Sequence, residues 1–201
     1  MLEPPSIFLI SPANLGGRRG ALLFNPSAPF QLARELRSPE GAALGELFSF
    51  VSGLYFRGKL AYARAFGRAP LGHEAAYVMS AGGGLCSADE RIRLERLQGW
   101  AKISIHQDNP HFSAPLIRHA SALLERSAPG TRFVLLGSVA SDKYVQPLRE
   151  VFGSDLVFPA QFAGLGDMSR GALLLRAVRD RRELAYAPIP AGRGSAPASN
   201  S

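Results

Sequence analysis

The residues best suited to chemistry are concentrated in four short segments rich in glycine and serine. These segments are SPANLGG (11–17), SAGGGL (80–85), GSVAS (137–141) and GLGDMSRG (164–171). Each follows a predicted strand, and ligands of open parallel sheets bind beyond the carboxyl ends of the strands, where glycine allows close backbone approach. The sequence therefore predicts one ligand-binding edge. Its predicted polar and backbone contacts are Ser11, Asn14, Ser80, Gly82, Gly83, Ser138 and Ser169.

The segment GLGDMSRG holds the densest set of functional groups, because Asp167, Ser169 and Arg170 precede an apolar helical pattern. One of two residues is expected to cap that helix. If Asp167 is the cap, its carboxylate is used on the backbone. If Ser169 is the cap, Asp167 and Arg170 are both free to contact a ligand. No segment matches G-x-x-x-x-G-K-[ST], and the glycines are mis-spaced for G-x-G-x-x-G.

A second candidate for acid–base chemistry is the segment HQDNPH (106–111). Asp108 or His106 could serve as a general acid or base, since that role needs only one placed group. The spacing H-x-x-x-x-H is not a metal-ligand pattern, and the single cysteine, Cys86, excludes cysteine clusters. No metal and no cofactor is therefore expected. Cys86 precedes a predicted helix, where a thiol pKa can fall, but a small buried residue in a turn is the commoner case.

The chain is basic, with 23 Lys and Arg against 16 Asp and Glu, which favours polyanionic partners. Arg18 lies just after the first predicted strand, where it could bind a phosphate. Helical spacing would place Arg57, Arg64 and Arg68 on one face with Lys59 nearly opposite, a pattern suited to nucleic acid. Solvated surface charges explain the same residues, as they do the arginines near the C-terminus.

The apolar pattern predicts alternating strands and helices. Strands are predicted at 7–10, 75–80, 101–106, 132–137 and 155–159. Helices are predicted at 30–36, 44–66, 88–97, 115–126 and 142–152 and after GLGDMSRG, the third beginning at the S-x-x-E pattern of Ser87 and Glu90. This order indicates a single-domain α/β fold over residues 1–190, a mostly parallel sheet of about five strands with helices on both faces, and a polar tail at 191–201.

The sequence contains no apolar run of the 18 or more residues that a membrane span needs, and its start lacks the features of a signal peptide. We therefore expect a cytoplasmic protein without a membrane partner.

The order of these segments resembles the YaaA-like family and its short relatives. The resemblance rests on LYFRGKLAYARAF (54–66), AYVMSAGGGLCSADERI (76–92), RFVLLGS (132–138) and the glycine-rich segment at 164–171. The residues that relatives often carry after the first strand, a cysteine or lysine, are replaced by Pro12, Ala13 and Asn14. The resemblance implies a fold similar to that of uracil-DNA glycosylases and a link to DNA binding and nucleobase modification.

Two main hypotheses follow. The first is a nucleotide- or nucleic-acid-acting enzyme that cleaves or modifies an N-glycosidic bond or a nucleobase, with Asp108 or Asp167 as the catalytic carboxylate and Arg18 or Arg170 on phosphate. The second is a non-catalytic DNA-binding module that uses Arg57, Arg64 and Arg68. A more distant alternative is a protein-interaction domain. The sequence does not decide whether the protein is an enzyme.

Overall fold

The computed structural model describes residues 4–139 and 142–189, and these form an α/β structure around one main sheet. Its six strands are β1 (Ser6–Ile10), β3 (Ala76–Ser80), β4 (Gly84–Ser87), β6 (Arg132–Leu136), β7 (Leu156–Pro159) and β8 (Tyr186–Pro188), and two further short strands, β2 (Ala42–Ala43) and β5 (Arg91–Ile92), form a separate pair. The order in the main sheet is β4-β3-β1-β6-β7-β8. The central four are parallel, while β4 and β8 run antiparallel at the two edges. The predicted α/β class with a mostly parallel sheet is confirmed.

Helices cover both faces of the sheet. They are α1 (Arg18–Phe24), α2 (Gln31–Arg37), α3 (Leu44–Ser52), α4 (Leu54–Phe66), α5 (Leu94–Ala101), α6 (Pro110–Arg126), α7 (Asp142–Phe152) and α8 (Asp167–Arg179). Alternate residues of β1 point to opposite faces, as in any strand. Phe8 belongs to the core that contains α3, α4 and α8, whereas Leu9 belongs to the core that contains α6 and α7.

Two predictions between residues 88 and 106 are wrong. The predicted helix 88–97 begins only at Leu94, because Arg91–Ile92 forms a short strand (β5) paired with Ala42–Ala43 (β2). Ser87 and Glu90 therefore close a turn rather than a helical capping box. The predicted strand 101–106 is instead the last residue of α5 followed by a loop. Its alternating isoleucines pack against the cavity described below rather than in the sheet.

The antiparallel hairpin formed by β3 and β4 corrects the predicted role of SAGGGL. This segment joins two strands instead of leading from a strand into a helix. Gly84 has φ of 69°, a conformation that favours glycine. The predicted helix 44–66 is divided into α3 and α4 at Gly53, whose φ is 64°.

Helix α4 packs closely on α8, and two glycines make this contact possible. A Cβ atom on Gly58 would lie 2.9 Å from the backbone oxygen of Gly171. A Cβ on Gly171 would lie 3.0 Å from Cα of Tyr55. The absence of side chains at the crossing therefore brings the N-terminal half of α8 next to the side chains of α4 that face the sheet.

Among the described residues, no helix is both long and apolar enough to cross a membrane. The predicted polar tail at 191–201, including Arg193, lies outside the described residues, and the prediction that residues 1–190 form one domain stays a prediction.

Candidate functional site

A cavity of about 490 Å³ opens at the carboxyl ends of β1, β3 and β6. Each of the four glycine- and serine-rich segments contributes to its lining. The first supplies residues 11–16, and the others supply Ala81, Ser138 and Asp167. The remaining lining includes four aromatic residues, Phe48, Tyr55, Trp100 and Tyr144. The four segments therefore meet around one concave site.

The position of the cavity follows from the sheet topology. Strand β1 lies between β3 and β6 in the sheet. The chain goes from β1 to β3 on one side, and it goes from β6 to β7, away from β1, on the other side. Adjacent strands whose connections leave in opposite directions create a crevice at their carboxyl ends. Ser11 follows β1 and Ser138 follows β6, so the cavity lies at this switch point.

The most deeply buried charged group in the cavity wall is Lys59. Its side chain comes from α4, the residue is 2% exposed, and its Nζ donates hydrogen bonds to the backbone oxygen of Ser11 at 2.7 Å and to Ser11 Oγ at 2.8 Å. Nζ also lies 4.4 Å from the centroid of the Tyr55 ring. These contacts fix the ammonium group against the end of β1.

Lys59 forms no salt bridge with a carboxylate of the described residues. The carboxylate of Asp167 acts on it through a longer-range electrostatic attraction. Burial lowers the pKa of Lys59 from 10.5 to about 7, and the negative charge of Asp167 opposes this shift only in part. Burial has this effect because the charged form loses its hydration. The amine therefore changes its protonation state near neutral pH.

Two tyrosine hydroxyls complete the polar part of the wall. Burial raises the pKa of both Tyr55 and Tyr144 to about 12, so both remain protonated donors at neutral pH. The Tyr55 hydroxyl is buried close to Arg170 and makes no well-formed hydrogen bond.

Asp167 is the first residue of α8, and the cap is Gly166, which contributes no side-chain hydrogen bond. Both alternatives for the cap, Asp167 and Ser169, are therefore wrong. The Asp167 carboxylate lines the cavity with its side chain 71% exposed, and it lies 3.6 Å from Arg170. Arg170 itself is buried, donates to the Phe162 carbonyl and does not line the cavity. Ser169 is exposed on the same helix.

The β3–β4 hairpin packs against Trp100, which lines the cavity. Ser80 is fully buried, and its hydroxyl accepts a hydrogen bond from the Gly83 N–H at 2.9 Å. Trp100 packs so closely that a Cβ on Gly82 or Gly83 would lie 2.8 or 2.7 Å from its ring. Cys86 is buried beside Ser80, on a strand rather than at a helix start, and burial raises its thiol pKa to about 11. These residues position Trp100 and do not line the cavity themselves.

The other predicted ligand contacts have different positions. Asn14 lies at the cavity, exposed, and its Oδ1 accepts a hydrogen bond from the Gly16 N–H at 3.0 Å. Ser138 also lines the cavity. Arg18 is exposed at the start of α1 and outside the lining. Asp108 is exposed, lies 3.4 Å from His106 and is also outside the lining.

The three arginines predicted to bind nucleic acid differ in exposure and in their contacts with carboxylates. Arg57 is exposed on α4. Arg64 pairs with Asp89 at 2.7 Å, both being largely exposed. Arg68 lies after the end of α4, where it pairs with Glu183. The prediction that they bind nucleic acid is not tested by these contacts.

Sequence reasoning missed the residues that the helices bring to the cavity, chiefly Lys59, Tyr55, Trp100 and Tyr144. For Lys59 a signal was present. It lies three to four residues from the buried Tyr55, Phe56, Tyr62 and Ala63, within the apolar stripe of α4. A lone lysine within an apolar stripe predicts a buried cation.

Comparison with protein-family models, with curated proteins and with solved structures finds no match to this chain. The resemblance to the YaaA-like family therefore stays a prediction.

Proposed function

We propose that the cavity binds a nucleotide, free or as a unit of a nucleic acid, and that the protein cleaves or modifies its N-glycosidic bond or its base. One observation carries this proposal. The switch-point cavity combines aromatic walls with a buried lysine and an accessible carboxylate. The other supporting features are its size, its charge and the placement of Asp167.

The size fits a small ligand. Ligand cavities in proteins are roughly 300–1,000 Å³, and the volume of about 490 Å³ lies within that range. The cavity is also partly open, as a site for one nucleotide of a longer chain must be. A flat basic surface, by contrast, would favour a DNA-binding module.

The wall supplies both interactions that a nucleotide needs. Aromatic rings stack on bases of any sequence, and Trp100, Tyr144 and Phe48 lie in the wall. Lys59 and Lys143 bring positive charge to the same wall, while Asp167 is its carboxylate within the described residues. The same cavity therefore offers aromatic rings for a base and lysines for a phosphate.

Asp167 is the better of the two predicted catalytic carboxylates. It lines the cavity and spends no hydrogen bond on capping α8. A carboxylate so placed can orient an attacking water or stabilise the positive charge that develops on the sugar as a glycosidic bond breaks. Asp108 does not line this cavity.

The alternative is a DNA-binding module without catalysis. It is supported less well, because Arg64 and Arg68 are engaged by carboxylates and only Arg57 of the three is exposed without a salt bridge among the described residues. Binding of this kind weakens steeply with salt and does not depend on the cavity.

The proposal is tested by titrating the protein with the common nucleoside monophosphates and with short single-stranded and duplex DNA, and by chromatography of released bases. We expect binding that Trp100→Ala abolishes, and base release that Asp167→Asn lowers at least 100-fold. Asp155→Asn is the matched control, because Asp155 is exposed at the opposite end of the sheet, before β7.

Absence of binding by every nucleotide and oligonucleotide would overturn the proposal. Binding of DNA that is unaffected by Trp100→Ala, with no base released, would instead favour the DNA-binding module.

A further inference from the structure

Lys59 is a buried cation that has no adjacent carboxylate among the residues that the structure describes. Its two hydrogen bonds both go to Ser11, one to the carbonyl and one to the hydroxyl, and both acceptors are uncharged. The other groups that touch it are aromatic faces, those of Tyr55 and Phe56, at 4.4 and 5.2 Å from the ring centroids. An ammonium group has three donors, and the described protein atoms use two of them.

A buried charge of this kind is costly. Removing a cation from water is unfavourable unless an opposite charge or a full set of hydrogen bonds replaces the lost hydration. Because Lys59 lines the cavity, the missing charge can come from a ligand. The Tyr55 hydroxyl, buried beside Arg170 in a residue that lines the same wall, makes no well-formed hydrogen bond to the described residues, so its proton is free for an acceptor.

We propose that Lys59, together with the hydroxyls of Ser11 and Tyr55, forms a subsite for a phosphate oxygen of the ligand. The subsite deepens the proposed function and depends on it for the ligand's identity as a nucleotide. In the proposed subsite the Lys59 ammonium and the two hydroxyls each donate a hydrogen bond to the anionic oxygen, and hydrogen bonds to an ionised group are the stronger ones. The aromatic part of the wall is left for the base.

The charged and titratable groups near Lys59 come from two other helices and from its own helix. Asp167 and Arg170 lie on α8, Lys143 and Tyr144 on α7, and Tyr55 on α4, while Ser11 at the end of β1 does not titrate. Of these, only the carboxylate of Asp167 opposes the positive charges. A bound anion is therefore attracted by a site with net positive charge.

Anion binding should be coupled to uptake of a proton by Lys59. Without a ligand, its pKa of about 7 leaves the amine mostly neutral at pH 8. An anion in contact with Nζ favours the charged form and raises this pKa. With a rise of one pKa unit or more, we therefore expect uptake of about 0.4 proton or more per anion at pH 8 and of almost none at pH 6.

Sulfate is a suitable probe, because it has the shape of phosphate and does not titrate in this range. The sequence contains only three lysines, Lys59, Lys102 and Lys143, so their side-chain amines can be resolved by NMR. We expect saturating sulfate to raise the pKa of Lys59 by at least one unit and to leave that of Lys102 unchanged. Lys102 is exposed next to the cavity without lining it, so Lys102→Met is the matched control for Lys59→Met.

Sulfate affinity should fall at least tenfold in Lys59→Met and about threefold in Tyr55→Phe and in Ser11→Ala, and should not change in Lys102→Met. The two milder variants keep the test valid if Lys59→Met does not fold. A Lys59 pKa that sulfate does not move, or equal sulfate affinities in all variants, would overturn the proposal. So would tighter binding of acetate than of sulfate, because that result would assign the subsite to a carboxylate.

The two proposals can fail separately. If nucleosides bind as tightly as nucleoside monophosphates and sulfate has no effect on Lys59, the subsite is wrong and the nucleotide cavity stands. If sulfate binds with proton uptake and no nucleotide binds, the assignment to phosphate of a nucleotide is wrong and only an anion site is left.

Discussion

Lys59 and Arg68 are close together in the sequence, but their side chains lie at opposite ends of β1. Lys59 is buried and Arg68 is partly buried. Arg68 lies at the amino end of the strand, where its backbone pairs with Ser6 and its guanidinium contacts both carboxylate oxygens of Glu183, at 2.8 and 3.2 Å. Lys59 lies at the carboxyl end and contacts only uncharged oxygens. Within the described ranges 4–139 and 142–189, a carboxylate thus neutralises Arg68 directly, and no carboxylate does so for Lys59.

The surroundings of Arg68 show what a structural cation looks like in this protein. Glu183 also accepts a hydrogen bond from the Tyr186 hydroxyl at 2.6 Å, and that hydroxyl lies 2.9 Å from the hydroxyl of Tyr62. The Tyr62 hydroxyl in turn accepts a hydrogen bond from the Leu184 N–H at 2.8 Å. This network joins α4 to the segment before β8. Arg68 therefore belongs to a hydrogen-bonded network that joins parts of the fold, whereas Lys59 is the cation that we propose binds a ligand.

The largest effect is expected from a change that disturbs both regions at once. Gly58→Val places a side chain where a Cβ alone would lie 2.9 Å from the Gly171 oxygen, so α4 and α8 must separate. We expect a loss of about 3 kcal/mol in the free energy of unfolding and loss of ligand binding. The measurement is urea denaturation.

The matched control is Gly99→Val, in α5, because a Cβ on Gly99 would have no neighbour within 4 Å. We expect it to change stability by less than about 0.5 kcal/mol. Similar losses in both variants would show that helix propensity, rather than the α4–α8 contact, decides the effect.

The second prediction distinguishes Lys59 from Arg68 by how the free energy of unfolding depends on pH. The pKa of Lys59 is about 7 in the folded protein and 10.5 without burial, so above pH 7 the unfolded chain binds more protons. Stability therefore rises with pH relative to Lys59→Met, by about 2 kcal/mol between pH 6.5 and 8.5. Denaturation of both proteins over this range measures the difference. A constant difference would mean that Lys59 stays protonated, as a paired cation would.

The smallest of the three effects concerns Arg68. The side chains of Arg68 and Glu183 are 30% and 20% exposed, so their pair is only partly shielded from water. Arg68→Met should lower the free energy of unfolding by about 1 kcal/mol and leave ligand affinity unchanged. Arg64→Met, which breaks an exposed pair with Asp89, should cost less. A loss of ligand binding in Arg68→Met would end the distinction between the two regions.

The sequence predicted the parts of the fold in which local pattern and tertiary packing agree. The apolar runs of β1, β6 and β7 identify buried strands, and α7 spans the predicted residues 142–152. The alternation at 101–106 was misleading, because Ile103 and Ile105 face the cavity from a loop and bury alternate side chains without strand pairing. The short pair of β2 and β5 left no local signal, since each strand has only two residues.

The site was predicted in part for a similar reason. Glycine and serine marked the turns at the end of the sheet, and the cavity is lined there by residues 11–16, Ser138 and Asp167. The contact of Lys59 with Ser11, by contrast, joins residues 48 positions apart and depends on how α4 lies across the sheet. Aromatic residues such as Trp100 are ordinary core residues in sequence, and only the three-dimensional arrangement brings them to the cavity.

The single cysteine of the chain has a practical consequence. Cys86 is 5% exposed inside the β3–β4 hairpin, and burial raises its thiol pKa to about 11, so the closed hairpin protects it from alkylating reagents. The same hairpin holds Trp100 at the cavity through Gly82 and Gly83. The rate at which a thiol reagent modifies Cys86 in the unmutated protein therefore reports how often the hairpin behind this wall of the cavity opens.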